Sequence, residues 1–104
     1  MHSTDREAAL SQWFAARREA MVGLLADLVN TDSNTGDKTG VDAVGARITA
    51  FLRDAGVSCE VIPHDALGDI IRATVPCGSA GNAPVMLLGH RDTVFPTGEA
   101  SRRP

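Results

Sequence analysis

The sequence predicts an α/β domain, and three observations carry that prediction. Two stretches, from about Thr4 to Val29 and from about Val41 to Ala55, repeat apolar residues at helical spacing. Val57 to Val75 then alternates around a short turn, as a hairpin does. Finally, Val85-Met86-Leu87-Leu88 is a continuous apolar run, the pattern of a strand covered on both faces. The resulting order is helix, helix, strand, strand, strand. That is the opening of a three-layer α/β/α domain with a mixed sheet, occupying residues 1–104 as one partial domain.

The first helix opens on Thr4-Asp5-Arg6-Glu7, which fits a capping box with Thr4 as N-cap and Glu7 reaching back. Leu10, Phe14, Met21, Leu24, Leu25 and Leu28 then make one apolar face, with Arg17, Arg18 and Glu19 among the polar positions. Asn30 is the expected stop. Thr31–Gly40 is rich in turn residues and reads as a loop; it has neither GxGxxG nor a Walker pattern, so its residues alone give it little functional weight. In the second helix Val44, Ile48, Phe51, Leu52 and Ala55 line one side, and Gly56 suits the left-handed residue that closes it. Strands are expected over Val57–Ile62, stopped by Pro63, and over Asp69–Val75. The turn between them contains His64 and Asp65, which are adjacent and so do not share a face; His64 reads as a solvated turn residue. His2 falls in a fraying terminus. The Gly-, Ala- and Ser-containing loop Pro76–Pro84 leads to the third strand.

Composition narrows the functional classes. A formal net charge of -3, with arginine pairs at 17–18 and 102–103 but no basic stripe, points away from a nucleic-acid surface. Cys59 and Cys77 lack CxxC spacing, which argues against a zinc ribbon; both read as small apolar fillers in a reducing compartment, with a disulfide between them as the alternative. Asp5, Arg6 and Glu7 precede any apolar segment, unlike a secretory leader, and Asp27 interrupts the short apolar run Met21–Val29. The expectation is a cytoplasmic protein without a membrane partner.

The chemistry concentrates after the third strand, in Gly89-His90-Arg91-Asp92. In an extended chain residues i and i+2 share a face, so His90 and Asp92 would stand together at the carboxyl end of a strand, where open α/β sheets place ligands. A neutral imidazole binds a metal through one ring nitrogen. The other nitrogen needs an acceptor to fix its tautomer, and a carboxylate two residues on supplies one. A bare His-x-Asp is nevertheless common, and a polar strand end with an incidental histidine is the plainer alternative.

The longer segment G-H-R-D-T-V-F-P-T-G over residues 89–98 resembles the first metal-site segment of the zinc-dependent exopeptidases that include carboxypeptidase G, the aminoacylases, and the acetylornithine and succinyl-diaminopimelate hydrolases. The Phe95-Pro96-x-Gly98 ending is more similar to the glutamate carboxypeptidase branch. A second stretch, Ser33-Asn34-Thr35 through Val44, also resembles that branch, in the same order along the chain. The resemblance implies that His90 is a metal ligand and that Asp92, counted with the catalytic residues, orients it. It implies two bridged zinc ions and cleavage of an amide bond next to a terminal amino acid, so the substrate would be a peptide or an N-acyl amino acid. A catalytic zinc takes about three protein ligands plus water. The family's bridging Asp, Glu pair, further acidic ligand and distal His all follow the His-x-Asp segment and have no counterparts in this sequence. The expectation is therefore an amino-terminal portion of such an enzyme, inactive by itself and marginally stable. The competing readings are an interaction module that uses an open sheet edge to form a homodimer or to join another chain, and an unrelated α/β binding domain in which His90 and Asp92 are merely hydrogen-bonded.

Overall fold

A computed structural model describes residues 3–76, 78, 81 and 83–104. The element order is α1 (Ser3–Ala16), α2 (Arg18–Val29), α3 (Lys38–Asp54), β1 (Ser58–Ile62), β2 (Ile70–Thr74) and α4 (Glu99–Arg102). The chain is thus mixed α/β, with helices followed by a small two-stranded sheet. Cys77 and His2 lie outside the described residues, as does part of the expected loop over 76–84.

The expected first helix is two helices. The chain leaves helical geometry at Arg17, with φ -111° and ψ 10°. There the guanidinium folds back on the preceding turn: its carbon lies 3.9 Å from the Trp13 ring centroid, and Nη1 donates to the Trp13 carbonyl at 3.1 Å. Such a cation–π contact favours the folded-back rotamer. Trp13 and Phe14 meet edge to face at 5.2 Å. Thr4 lies inside α1 rather than at its cap. Neither helix buries a residue, and the apolar face expected from Leu10 to Leu28 is largely open to solvent.

By contrast, α3 is the helix that packs. It starts three residues earlier than the apolar spacing suggests, because Asp37 caps it by accepting from the Gly40 amide at 3.0 Å. Its buried positions are Val41, Val44, Gly45 and Thr49, with Ile48 and Leu52 half-buried. The packed stripe is therefore rotated from the expected one, and Phe51 is exposed. The helix closes at Ala55, followed by Gly56 at φ 82°, the left-handed position anticipated for it.

The hairpin forms as expected, with slightly shorter strands. β1 and β2 pair antiparallel, Cys59 opposite Ala73 and Val61 opposite Ile71. Arg72 and Glu60 face each other across the ladder as an ion pair. Cys59 is half-buried. His64 stays in the turn, where its Nδ1 accepts from the Ala66 and Leu67 amides at 3.2 and 3.0 Å.

The third strand is not there. Residues 85–88 belong to no ladder among the described residues, and their side chains are 88, 83, 93 and 93% exposed. An apolar run becomes a strand only when a neighbour supplies backbone partners. Here the far edge of β2 does not reach it. The only pairing along the 85–98 stretch is a parallel bridge between Thr93 and Asn34. Consequently the core is thin, with Val41 and Val44 as its buried apolar residues. The radius of gyration is 16.6 Å, against about 13 Å for a compact chain of this length.

Two glycines test the packing around α3 with opposite signs. A Cβ on Gly68 would lie 2.2 Å from Cγ1 of buried Val41, whereas one on Gly23 in α2 meets nothing within 4 Å. Gly68→Ala should lower the unfolding free energy by about 1–3 kcal/mol through overpacking. Gly23→Ala should raise it by up to about 1 kcal/mol through helix propensity. Urea titrations followed by circular dichroism read both; equal effects of the two substitutions would contradict the packing described.

Candidate functional site

The segment Arg91–Phe95 is held by the loop that precedes α3. The Thr93 amide donates to the Ser33 carbonyl at 2.8 Å, and the Thr35 amide donates to the Thr93 carbonyl at 3.0 Å. Ser33 Oγ donates to the Arg91 carbonyl at 3.2 Å, and Asn34 Nδ2 donates to the Phe95 carbonyl at 3.1 Å. Further along, the Asp32 carboxylate accepts from the Gly98 and Ala100 amides at 2.9 and 3.1 Å. Those two bonds fix the start of α4, an element the sequence reading did not anticipate. Asp32 thus acts as the cap side chain of a helix 66 residues downstream of it in the chain.

Arg91 anchors the same segment on its other side. Its Nε donates to the Val41 carbonyl at 3.0 Å, and its Nη2 donates to the Asp69 carbonyl. Asp42 Oδ1 lies 3.9 Å from Nη2. The guanidinium occupies space that a side chain on Gly45 would take: a Cβ there would fall 2.9 Å from Nε. Glycine at 45 therefore admits the arginine, which is a packing reason for a residue otherwise unfavourable in a helix.

Alternation then sends the neighbours of Arg91 the other way. His90 and Asp92 come together as the sequence spacing anticipates: Nδ1 is 3.2 Å from Asp92 Oδ1 and 3.1 Å from the Asp92 carbonyl oxygen. The His90 side chain is 85% exposed, and that of Asp92 is 34% exposed. The second carboxylate oxygen of Asp92 accepts from Thr35 Oγ1 at 2.6 Å. That bond, more than the histidine, holds the Asp92 carboxyl below its ordinary range, with burial opposing it. Asp92 is therefore ionised and oriented from both sides, and the ring nitrogen turned away from it is Nε2. Thr35 was given no role from its residue type; the sign of its importance was the second stretch of family resemblance, in which it lies.

Behind the site lies a charged cluster. Lys38 Nζ is 2.6 Å from Asp69 Oδ1 and 2.9 Å from Asp42 Oδ2. The Asp69 amide donates to Asp42 Oδ1 at 2.8 Å, and Asp69 Oδ1 also accepts from the His64 amide at 2.9 Å. The Lys38 bond lowers Asp69, the Asp69 amide and then Lys38 lower Asp42, and the two carboxylates, Asp69 first, raise Lys38. The cluster joins the first turn of α3 to the hairpin turn. It carries no exposed nucleophile, so its reading is structural.

Among the described residues no three His, Cys, Asp or Glu side chains converge as a metal would require. His90 sits at the rim of a cavity between α3, β2 and the 85–91 segment; a separate cavity, bounded by α2 and α4, contains neither His90 nor Asp92. No helix among the described residues is long and apolar enough to cross a membrane. Compared with known proteins, the chain matches no family model, no curated protein and no solved structure.

The charged cluster makes stability depend on pH at both ends. Carboxyls with folded values below about 4 contribute stability that is present above that value and lost as pH falls through the lowered folded values. A lysine raised above about 10.4 contributes stability that is complete below that value and lost as pH rises through the raised one. Urea midpoints across pH should therefore form a plateau with a fall on each side. Lys38→Met should remove the alkaline fall and blunt the acid one; a midpoint that climbs below pH about 4 would contradict the assignment.

Proposed function

We propose that this chain is the amino-terminal portion of a zinc-dependent exopeptidase domain of the glutamate carboxypeptidase type, with His90 as a metal ligand and Asp92 as the residue that orients it. The observation that carries the reading is the His90–Asp92 pair. The imidazole is exposed, its Nδ1 is occupied by the carboxylate at 3.2 Å, and the carboxylate is itself held by Thr35. That is how a ligating histidine is prepared: one nitrogen committed to an acceptor, the other presented outward. The two stretches resembling the family, at 33–44 and 89–98, are hydrogen-bonded to each other through residues 33–35, 91, 93 and 95. The three-layer α/β/α architecture belongs to the same proposal. The open apolar run at 85–88 supports it, because such a run is stable as a strand covered on both faces.

The donor set of this chain does not by itself fit a catalytic zinc. One imidazole falls short of the about three protein ligands that such an ion takes. In a complete site the metal would supply a water acidic enough to ionise near neutral pH. No chemical step is assigned to the chain by itself; its residues hold and aim one ligand. The substrate class in the complete enzyme is a peptide or N-acyl amino acid, and the compartment the cytoplasm.

Zinc titration of the 15N-labelled chain tests the role of His90. Binding should be weak, with a dissociation constant far above the roughly nanomolar or tighter range of multi-ligand zinc sites. The His90 ring Nε2 resonance should move most, and His90→Ala should abolish the effect while hydrolysis of peptides stays at background. Zinc perturbations centred on His64 or Cys59, with the His90 ring unmoved, would overturn the assignment.

A further inference from the structure

The turn between β1 and β2 is built on the bare nitrogen of one histidine. His64 Nδ1 accepts from the backbone amides of Ala66 and Leu67 at 3.2 and 3.0 Å. Both donors are main-chain N–H groups, so Nδ1 offers its lone pair and the ring proton sits on Nε2. The imidazole thus does what an Asn side chain does in an Asx turn, bonding to amides just ahead of it in the chain. It differs in one respect. An Asn acceptor is indifferent to pH, whereas a proton on Nδ1 sets a donor against two donors. His64 is exposed, so solvent delivers that proton directly. The residues it closes are used elsewhere in the fold. The Leu67 carbonyl accepts from Lys38 Nζ at 3.1 Å, and the His64 amide donates to Asp69 Oδ1 at 2.9 Å. The Asp69 carbonyl receives Arg91 Nη2, and Arg91 is the residue about which His90 and Asp92 turn outward.

We propose that His64 is a pH-sensitive latch on the hairpin turn: the neutral ring closes residues 64–68, and protonation opens them and loosens the hold on Asp69, the outer acceptor of Arg91. The charged groups around the turn are Asp65 within it, Asp69 at its end, Lys38 and Asp42 on α3, and Arg91 on the segment beyond. Among the described residues none of them forms an ion pair with the imidazole, so the two amide bonds are what a proton on the ring removes. The neutral form is the bonded one, so its contribution is present above about pH 6.5, where free imidazoles take up a proton, and is lost as pH falls below it. Asp42 and Asp69 stay ionised through that range: the Asp69 amide and Lys38 lower Asp42, and Lys38 and the His64 amide lower Asp69. The opening is therefore separate from the loss of stability near pH about 4. It is also local, because Lys38 and the bond from the Asp69 amide to Asp42 Oδ1 still hold the end of the turn. What changes beyond residue 68 is that Asp69 Oδ1 loses one of its two donors and Lys38 loses the Leu67 carbonyl. The inference does not rest on the zinc reading, and the experiment below involves no metal.

NMR of the 15N-labelled chain between pH 7.5 and 5 tests this. At pH 7.5 the His64 ring should show a bare Nδ1 and a protonated Nε2. As the ring takes up its second proton, exchange of the Ala66 and Leu67 amides, normalised to the intrinsic rate at each pH, should speed up by about two- to tenfold for each bond lost. Both amides should share the midpoint of the His64 ring, and the Thr93 amide should follow with a smaller change. His64→Asn keeps an acceptor without the titration, so its turn amides should stay protected at every pH; His64→Ala should leave them open at every pH. The β1–β2 ladder amides establish that each variant folds. A proton on Nδ1 at pH 7.5 overturns the proposal in the unaltered chain. So does a transition at Ala66 and Leu67 that follows the His90 ring instead, or that survives in His64→Asn. A Thr93 amide that ignores the His64 midpoint overturns the link from the turn to Arg91.

Discussion

The structure depends on where Arg91 puts its guanidinium. The residue is 19% exposed in its side chain, between the first turns of α3 and the hairpin turn, and donates to a carbonyl on each. Hydrogen bonds from a charged donor contribute about 1.5–3 kcal/mol each, against about 0.5–1.5 for the neutral backbone bonds that join Thr93 to Ser33 and Thr35. The arginine therefore sets the register of the segment, and the backbone bridge follows it. A lysine could not do the same, because two carbonyls on separate elements require donors at fixed separation on one rigid group. Everything chemical follows from alternation about this residue. With position 91 turned inward, 90 and 92 must turn outward together.

This explains how an exposed pair can be oriented without a pocket. Surface ion pairs are ordinarily weak because two long side chains lose freedom to meet. Here the backbone brings them together, and Thr35, from a loop 57 residues away in sequence, restrains the carboxylate from behind. The loop that looked like a mere connection is the template on which 91–100 is laid. Its Asp32 caps α4, its Ser33 and Thr35 form the bridge, and its Asp37 starts α3. Polar residues that bond to backbone locally can bond equally well to backbone brought near by folding, and residue type alone does not separate the two uses.

The sequence was legible wherever a local rule decided the outcome. The hairpin, the end of α3 at Gly56 and the shared face of His90 and Asp92 rest on alternation, a left-handed glycine and i, i+2 geometry, none of which needs a distant partner. It misled where the outcome depended on neighbours. The single long helix from Thr4 breaks at Arg17, where the guanidinium folds back on the Trp13 ring, and the apolar spacing, which runs on through that residue, does not mark the break. The third strand fails to form because hydrophobicity marks what should be covered but supplies no backbone partner. Arg91, read only as the spacer between two interesting residues, is the anchor, and the signal for it in the sequence is Gly45, a glycine within a helix with no turn to make.

The most direct measurement is native-state hydrogen exchange on Arg91→Ala beside the unaltered chain. The account predicts that the amides of Thr35 and Thr93 lose their protection and the His90 ring loses its contact with Asp92, while the amides of the β1–β2 ladder exchange as before. Protection at Thr35 and Thr93 that survives loss of the guanidinium would contradict it, since the loop and not the arginine would then hold the site.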